Sequence, residues 1–272
     1  MPDDIRYQFY PTLLDAYYRY THTSLDDYFF RDETGAWHKN YNEQEGTYLV
    51  DEATMRASLL EDLIDTINRV DGEPSEAADK GTAFNEIIDC IVNGVPSTRP
   101  DVTLKSTPET IEADIHDFHF SFDRNLCCQV GKAFKGSLTQ LRTEAVISTA
   151  YGNVLLYGYI DSLLRNRIID IKTAKRYDFG NYKHYMQRHV YPWCLTTSGE
   201  AKDISAFEFF VVKLSGGTPS SPLIRGEVYK EVYDYDHKQS TEVIRQSCER
   251  FIEFLNEHKH LITDKKIFNE ND

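Results

Sequence analysis

Two acids and an amine recur at short spacing in the middle of the chain, in Gly158-Tyr159-Ile160-Asp161 and then Asp170-Ile171-Lys172-Thr173. Brought onto one surface, such groups suit metal-assisted phosphodiester hydrolysis. Carboxylates hold a divalent cation, and the cation takes charge from the phosphate and acidifies a water. The amine can orient or deprotonate that water, or neutralise the phosphate. Whether they share a surface depends on the strands beneath them. Tyr157 to Leu164 and Arg167 to Thr173 are rich in Ile, Leu and Tyr and are separated only by Arg165-Asn166, as in a hairpin with a two-residue turn. Leu164 then faces Arg167, Asp161 falls opposite Asp170, and Lys172, two residues on, shares the face of Asp170.

The preceding segment extends the row. Thr143 to Thr149 and the residues from Val154 flank an expected turn at Gly152-Asn153, which pairs Tyr151 with Val154 and Glu144 with Asp161. Like charges facing each other destabilise a sheet, so three aligned carboxylates require protonation, distance or a cation, and a divalent metal is the simplest offset. Carboxylate and carbonyl oxygens are the hard ligands that Mg²⁺ accepts. Register is the weak point, since one extra residue in either turn would flip a strand. Glu144 can equally be an exposed acid at a strand end.

Taken in order, these motifs resemble the PD-(D/E)XK nuclease superfamily, most closely its RecB-like branch, in which G-x-x-D, D-x-K-T and a helical Q-x-x-x-Y follow one another. Here they are Gly158 to Asp161, Asp170 to Thr173, and Gln187 to Tyr191, while Gly81-Thr82-Ala83-Phe84-Asn85-Glu86 is similar to the family's G-T-x-F-H helix start. The resemblance covers roughly residues 80 to 215. It implies an α/β fold with a mixed sheet, built on a restriction-endonuclease-like α-β-β-β-α-β core with extra N- and C-terminal helices. It also implies a Mg²⁺- or Mn²⁺-dependent deoxyribonuclease, an exonuclease of recombination, repair or phage replication, serving with a recombinase, helicase or single-strand-binding protein. Asp161 and Asp170 would hold the metal with the Ile171 carbonyl, and Lys172 would act on the water or phosphate. Glu144 would hold a second metal or a metal-bound water, and Gln187 and Tyr191 would stand beside the metal on one helix face with Lys183. Where the family has histidine this chain has Asn85 and then Glu86. The stripe Phe84, Ile87, Ile88 and Ile91 leaves Asn85 at its border and turns Glu86 nearly away, so geometry favours Asn85, while Glu86 stays open as the better ligand. Two other readings stand beside the exonuclease: a degenerate relative that binds DNA or a partner without cutting, and a restriction-type endonuclease.

Composition bounds these readings. A chain of 272 residues with no linker, repeat or low-complexity tract suits one elaborated domain, with residues 1–76 as a helical elaboration, 77–215 as the catalytic core and 216–272 as a closing strand and helix. A net charge of −14 argues against a generic nucleic-acid binder, yet residues 124–142 and 165–189 are locally basic. Both flank the carboxylates, and Lys132, Lys135, Lys175, Arg176 and Lys183 are the candidate phosphate contacts; the bland alternative is a solvated face. No basic-then-apolar leader and no long apolar run is visible, so the expectation is a cytoplasmic protein of a bacterium or phage-infected cell, with no membrane association. Five cysteines without C-x-x-C spacing imply reduced thiols, no zinc and none of the iron–sulfur clusters of some RecB-like relatives. His116-x-x-His119 has a zinc-like spacing, but on one strand the two rings would point to opposite faces.

The elements that must position these groups follow from periodicity. Helices are expected over Tyr10–Tyr20, Met55–Val70, Ala77–Val92, Leu126–Leu141, from about Asn181, and Gln239–His258. Pro192 should kink the fifth or split it in two. Strands are expected over Ile115–Phe122, in the two hairpins, and over Ile204–Leu214. Aromatic residues make up 13% of the chain, and the early group Tyr17, Tyr18, Tyr20, Tyr28, Phe29 and Phe30 suits core packing or, alternatively, stacking on bases.

Overall fold

The computed structural model describes residues 4–32, 36–70, 72 and 74–269. It is a mixed α/β structure with six α-helices, in two compact units built from interleaved segments: 1–71, 146–156 and 242–272 in one, 72–145 and 157–241 in the other.

The first unit begins with β1 (Ile5–Phe9) and α1 (Pro11–His22), whose first-turn proline sits where its missing N–H costs nothing. Two small hairpins follow, β2 (Phe29–Arg31) with β3 (Trp37–Lys39) and β4 (Tyr41–Asn42) with β5 (Thr47–Tyr48). Then comes α2 (Glu52–Asn68), started by Asp51, whose side chain accepts from Thr54 N at 2.7 Å. The early aromatics mostly serve packing. Tyr17 lies against Phe251 and Phe254, Tyr20 against Phe254, and Tyr28 joins Met55 and Leu59 in a small core that Phe30 flanks. Phe29 alone of that group is largely exposed, and Tyr18 stacks on His22.

The second unit opens with α3 (Glu76–Asn93), followed by β6 (Val102–Ser106), β7 (Thr110–Ile115), β8 (Phe118–Asp123) and α4 (Arg124–Ala133). The expected single strand over 115–122 is therefore a hairpin corner, turned at His116-Asp117 with His116 at φ 48°. The two histidines part there: His116 bonds Asp79 at 2.9 Å, and His119 pairs with Asp114 and Glu112. α4 stops well short of Leu141 because Phe134 turns into the core against Phe210.

β9 (Leu138–Thr149) and β10 (Gly152–Leu164) each run from one unit into the other, and β1 pairs in parallel with the start of β10. Their connecting turn is Ala150-Tyr151, two residues earlier than expected, because the Thr149 hydroxyl bonds both Gly152 O and Tyr151 N and closes the turn there. β11 (Arg167–Ala174), α5 (Gln187–Ser198), β12 (Ala206–Ser215), β13 (Leu223–Asp234) and α6 (His237–Glu257) complete the chain. Within the second unit the strand order is β10-β11-β12-β13-β8-β7-β6, with β9 beside β10. β11 and β12 are parallel and joined through α5.

The two faces of β11 are read by different helices. Ile169 and Ile171 point into a core with Phe84, Ile87 and Ile88 of α3 and Leu126 and Val130 of α4. Asp170 and Lys172 point the other way, where α5 lies and Tyr191 meets Phe207 at 6.4 Å. α5 is a single helix that contains Pro192, and it starts at Gln187 rather than near Asn181, leaving residues 175–186 as a structured loop.

Candidate active site

The β10–β11 ladder pairs Leu164 with Arg167, Leu163 with Ile168 and Ser162 with Ile169 and stops there; continuing the count carries Asp161 toward Asp170, whose charge bears on its carboxyl. There the Asp161 carboxylate turns into the plane of the sheet and accepts the Ile171 N–H at 3.0 Å. In an extended strand a residue's N–H and C=O leave from the same edge, so the Ile171 carbonyl also lies on the side of Asp161. Asp170 is almost wholly buried, with Lys172 Nζ 2.8 Å from its Oδ2. Gln187 ties the two together: its amide nitrogen donates to Asp170 Oδ1 at 2.7 Å and its oxygen accepts from Lys172 Nζ at 2.8 Å.

The electrostatics follow from two acids sharing one ammonium. Burial, and then the charge of Asp170, push the Asp161 carboxyl up to about 7, against the Ile171 N–H and Lys172, which pull it down. Burial pulls the Lys172 ammonium down, but the charge and hydrogen bond of Asp170 outweigh it and hold Lys172 above the usual lysine range. Lys172 therefore stays protonated, which favours orienting or neutralising over deprotonating a water.

Two glycines of the motifs have steric reasons. A Cβ on Gly158 would lie 2.6 Å from the Tyr191 ring, and one on Gly81 would lie 2.8 Å from Thr173 Oγ1. Gly158 thus makes room for the helix that carries Gln187, and Gly81 lets α3 approach the end of β11.

Other expected residues stand elsewhere. Counting back from the Ala150-Tyr151 turn puts Glu144 opposite Tyr157 instead of Asp161, and its carboxylate is held by Arg142 at 2.6 Å. The further acid bearing on Asp161 is Asp89 of α3. Burial pushes Asp89 up to about 6, opposed by a Gln140 hydrogen bond and assisted by Glu86. Asn85, Glu86 and Asp89 line one side of a cavity of about 500 Å³, and Asn85 Oδ1 is buried there without a hydrogen-bond partner. Asp89 lies one helical turn beyond Asn85, on the same face, so its spacing could have marked it. Tyr191 shares the inward face of α5 with Gln187, whereas Lys183 lies outside the helix, exposed in the loop with Lys175 and Arg176. Lys132 and Lys135 are exposed on α4 and the turn after it, an element packed with α3 rather than α5.

A divalent cation fits the pair on charge, because two carboxylates face one ammonium and a carbonyl edge adjoins them. Among the described residues no three His, Cys, Asp or Glu side chains converge tightly enough to hold an ion by themselves, so carbonyl and solvent oxygens would complete the shell. Among them, too, no helix is long and apolar enough to cross a membrane.

No family model and no curated protein matches the chain. Solved structures similar to it include SSO0001, at 20% identity and a TM-score of 0.28 over 42% of this chain, which spans only 50% of that one. Another is a protein of Eubacterium rectale provisionally described as an exonuclease, at 10% identity and a TM-score of 0.40 over 71% of this chain and 73% of that one.

Proposed function

We propose that this protein is a metal-dependent DNA nuclease that hydrolyses phosphodiester bonds where β10 and β11 bring Asp161 and Asp170 together. The observation that carries the reading is the undercompensated pair: two facing carboxylates, one ammonium, and an Asp161 carboxyl pushed up to about 7. Asp161, Asp170 and the Ile171 carbonyl would hold Mg²⁺ or Mn²⁺, which when bound neutralises phosphate oxygens and acidifies a water. Lys172 carries positive charge to the phosphate or its water. Gln187 fixes the spacing of Lys172 and Asp170, and Tyr191 seats α5 against Gly158. On the α3 side Asn85, Glu86 and Asp89 are candidates for holding an outer water. Lys175, Arg176 and Lys183 are the candidate contacts to the DNA backbone.

A second reading, DNA binding without cleavage, draws on one observation: Lys172 and Gln187 already occupy Asp170. Incubation with end-labelled linear, nicked and circular DNA under Mg²⁺, Mn²⁺ or chelator separates the two. Shortening of linear DNA alone means an exonuclease, cutting of circles means an endonuclease, and binding without cutting favours the second reading. Asp161→Asn, Asp170→Asn and Lys172→Ala should each lower cleavage by about 10²–10³-fold or more. Near-normal cleavage by Asp170→Asn would overturn the assignment.

A further inference from the structure

The loop between β11 and α5 presents an apolar side chain to solvent. Phe179 is 83% exposed, the highest exposure among the large apolar residues described. It sits at the tip of a tight turn closed by Asn181 N donating to Asp178 O at 3.3 Å. Both shoulders of that turn are fixed to one wholly buried carboxylate: the Tyr177 hydroxyl and the Gly180 N–H donate to Glu231 Oε1 at 2.8 and 2.9 Å. The far foot is fixed as well. Tyr182 stacks on Phe209 with ring centres 5.1 Å apart, and Tyr185 lies against Phe209 and beneath the Lys172 ammonium. The ring is thus held out of the core on a fixed base.

The loop itself carries more exposed cations than acids. Lys175, Arg176 and Lys183 are exposed in the same loop, with Asp178 the acid at the tip. An apolar flat surface among cations fits a nucleobase whose phosphates reach the flanking side chains. It does not fit a base inside a closed duplex, whose faces are covered by its neighbours.

We infer that Phe179 is a stacking platform for an unpaired base, so that the loop 175–186 selects a single strand or a frayed end and delivers it beside Lys172. This rests on the DNA reading proposed above and names the form of DNA taken. Phe179 touches neither carboxylate, so it would be a positioning residue, and its contribution would be read in binding before any chemistry.

The test uses the full chain in chelator, where nothing is cut. Affinity is measured by fluorescence anisotropy for a short labelled single strand carrying 2-aminopurine and for a duplex dumbbell closed at both ends. Wild type should quench the 2-aminopurine by stacking. Phe179→Ala should weaken single-strand binding by about tenfold to a hundredfold and abolish the quench. Dumbbell binding should be unchanged, and the variant should melt as wild type does, since the side chain is exposed. Phe179→Trp should restore both affinity and quench. Single-strand affinity or quench unaltered in Phe179→Ala, or an equal loss on the dumbbell, overturns the inference. If wild type nevertheless cleaves linear DNA once Mg²⁺ is added, the nuclease reading stands without it. If wild type neither binds nor cuts any DNA, both fall together.

Discussion

The sheet of the second unit buries carboxylates in two places and treats them oppositely. On β12 and β13 each buried acid faces more than one partner. Glu208 faces two cations, Arg167 at 2.6 Å and Lys230 at 3.1 Å, and Glu231 accepts from Tyr177, Tyr233 and the Gly180 N–H. On β10 and β11 two acids share one ammonium. Burying a charge costs free energy wherever it occurs. The shortfall at Asp161 and Asp170 is where the proposed cation would act, whereas Glu208 and Glu231 are each set among several partners.

The largest expected effect comes from making Glu208 resemble the other pair. Arg167→Met with Lys230→Met leaves a wholly buried carboxylate uncompensated and should cost about 3–5 kcal/mol in urea unfolding. A loss below about 1 kcal/mol would mean that the cations contribute nothing and would dissolve the comparison.

Next is the converse, removing the surplus charge. Asp161→Asn should stabilise the metal-free protein by about 1–3 kcal/mol at pH 8. The sign follows from the raised carboxyl. Below its ordinary pKa of 3.8 the group is neutral in both folded and unfolded chains and carries no penalty. As pH climbs toward about 7 the unfolded chain ionises first, so stability falls, and above that the penalty is complete. The gain from Asn should thus vanish near pH 4, and Mn²⁺ should raise the melting temperature of wild type more than that of the variant. A variant less stable than wild type at pH 8 would contradict the undercompensated pair.

His189, on the helix that carries Gln187, supplies a control of opposite slope. Burial, and then Arg188, pull its pKa from 6.5 down to about 4, so it stays neutral in the fold while the unfolded chain protonates first. Its stabilisation is whole above pH 6.5 and should decline by about 3 kcal/mol on acidification to pH 4. His189→Gln should flatten that acid limb and leave the Asp161 limb untouched, as followed by thermal melts across pH.

The smallest effect belongs to the best-compensated acid. Tyr177→Phe removes one of several donors to Glu231 and should cost about 1 kcal/mol. A larger loss would show that Glu231 depends on that phenol and is less well satisfied than its three donors suggest.

What the sequence discloses about this site is what short-range geometry dictates. Arg165-Asn166 leaves a single way to close its hairpin, so the facing of Asp161 and Asp170 was legible, and Gln187 and Tyr191 were legible from helical spacing. The neighbouring turn was not, because Tyr151-Gly152-Asn153 permits several closures and the hydroxyl of Thr149 decides among them; that choice displaces Glu144. The late start of α5 is likewise tertiary. Residues 181–186 have no helix breaker, but their tyrosines are claimed by Phe209 and the preceding turn by Glu231. His116 in a positive-φ corner split a run that alternates as one strand would. Asp89 escaped attention because the motif ended four residues before it, although helical periodicity carries the same face onward. β1 finds its partner across more than a hundred residues, which no local pattern encodes.

The attachment of the 175–186 loop to Glu231 has a practical side. With Tyr177 and Gly180 secured to the sheet, and Gly180 at φ +92° where other residues are strained, the tip has a fixed pedestal and an exchangeable head. A cysteine at position 179 could therefore carry a fluorophore or a disulfide-linked oligonucleotide without disturbing the base it stands on. The chain comes with a ready mounting point for reporters or tethers beside its acidic pair.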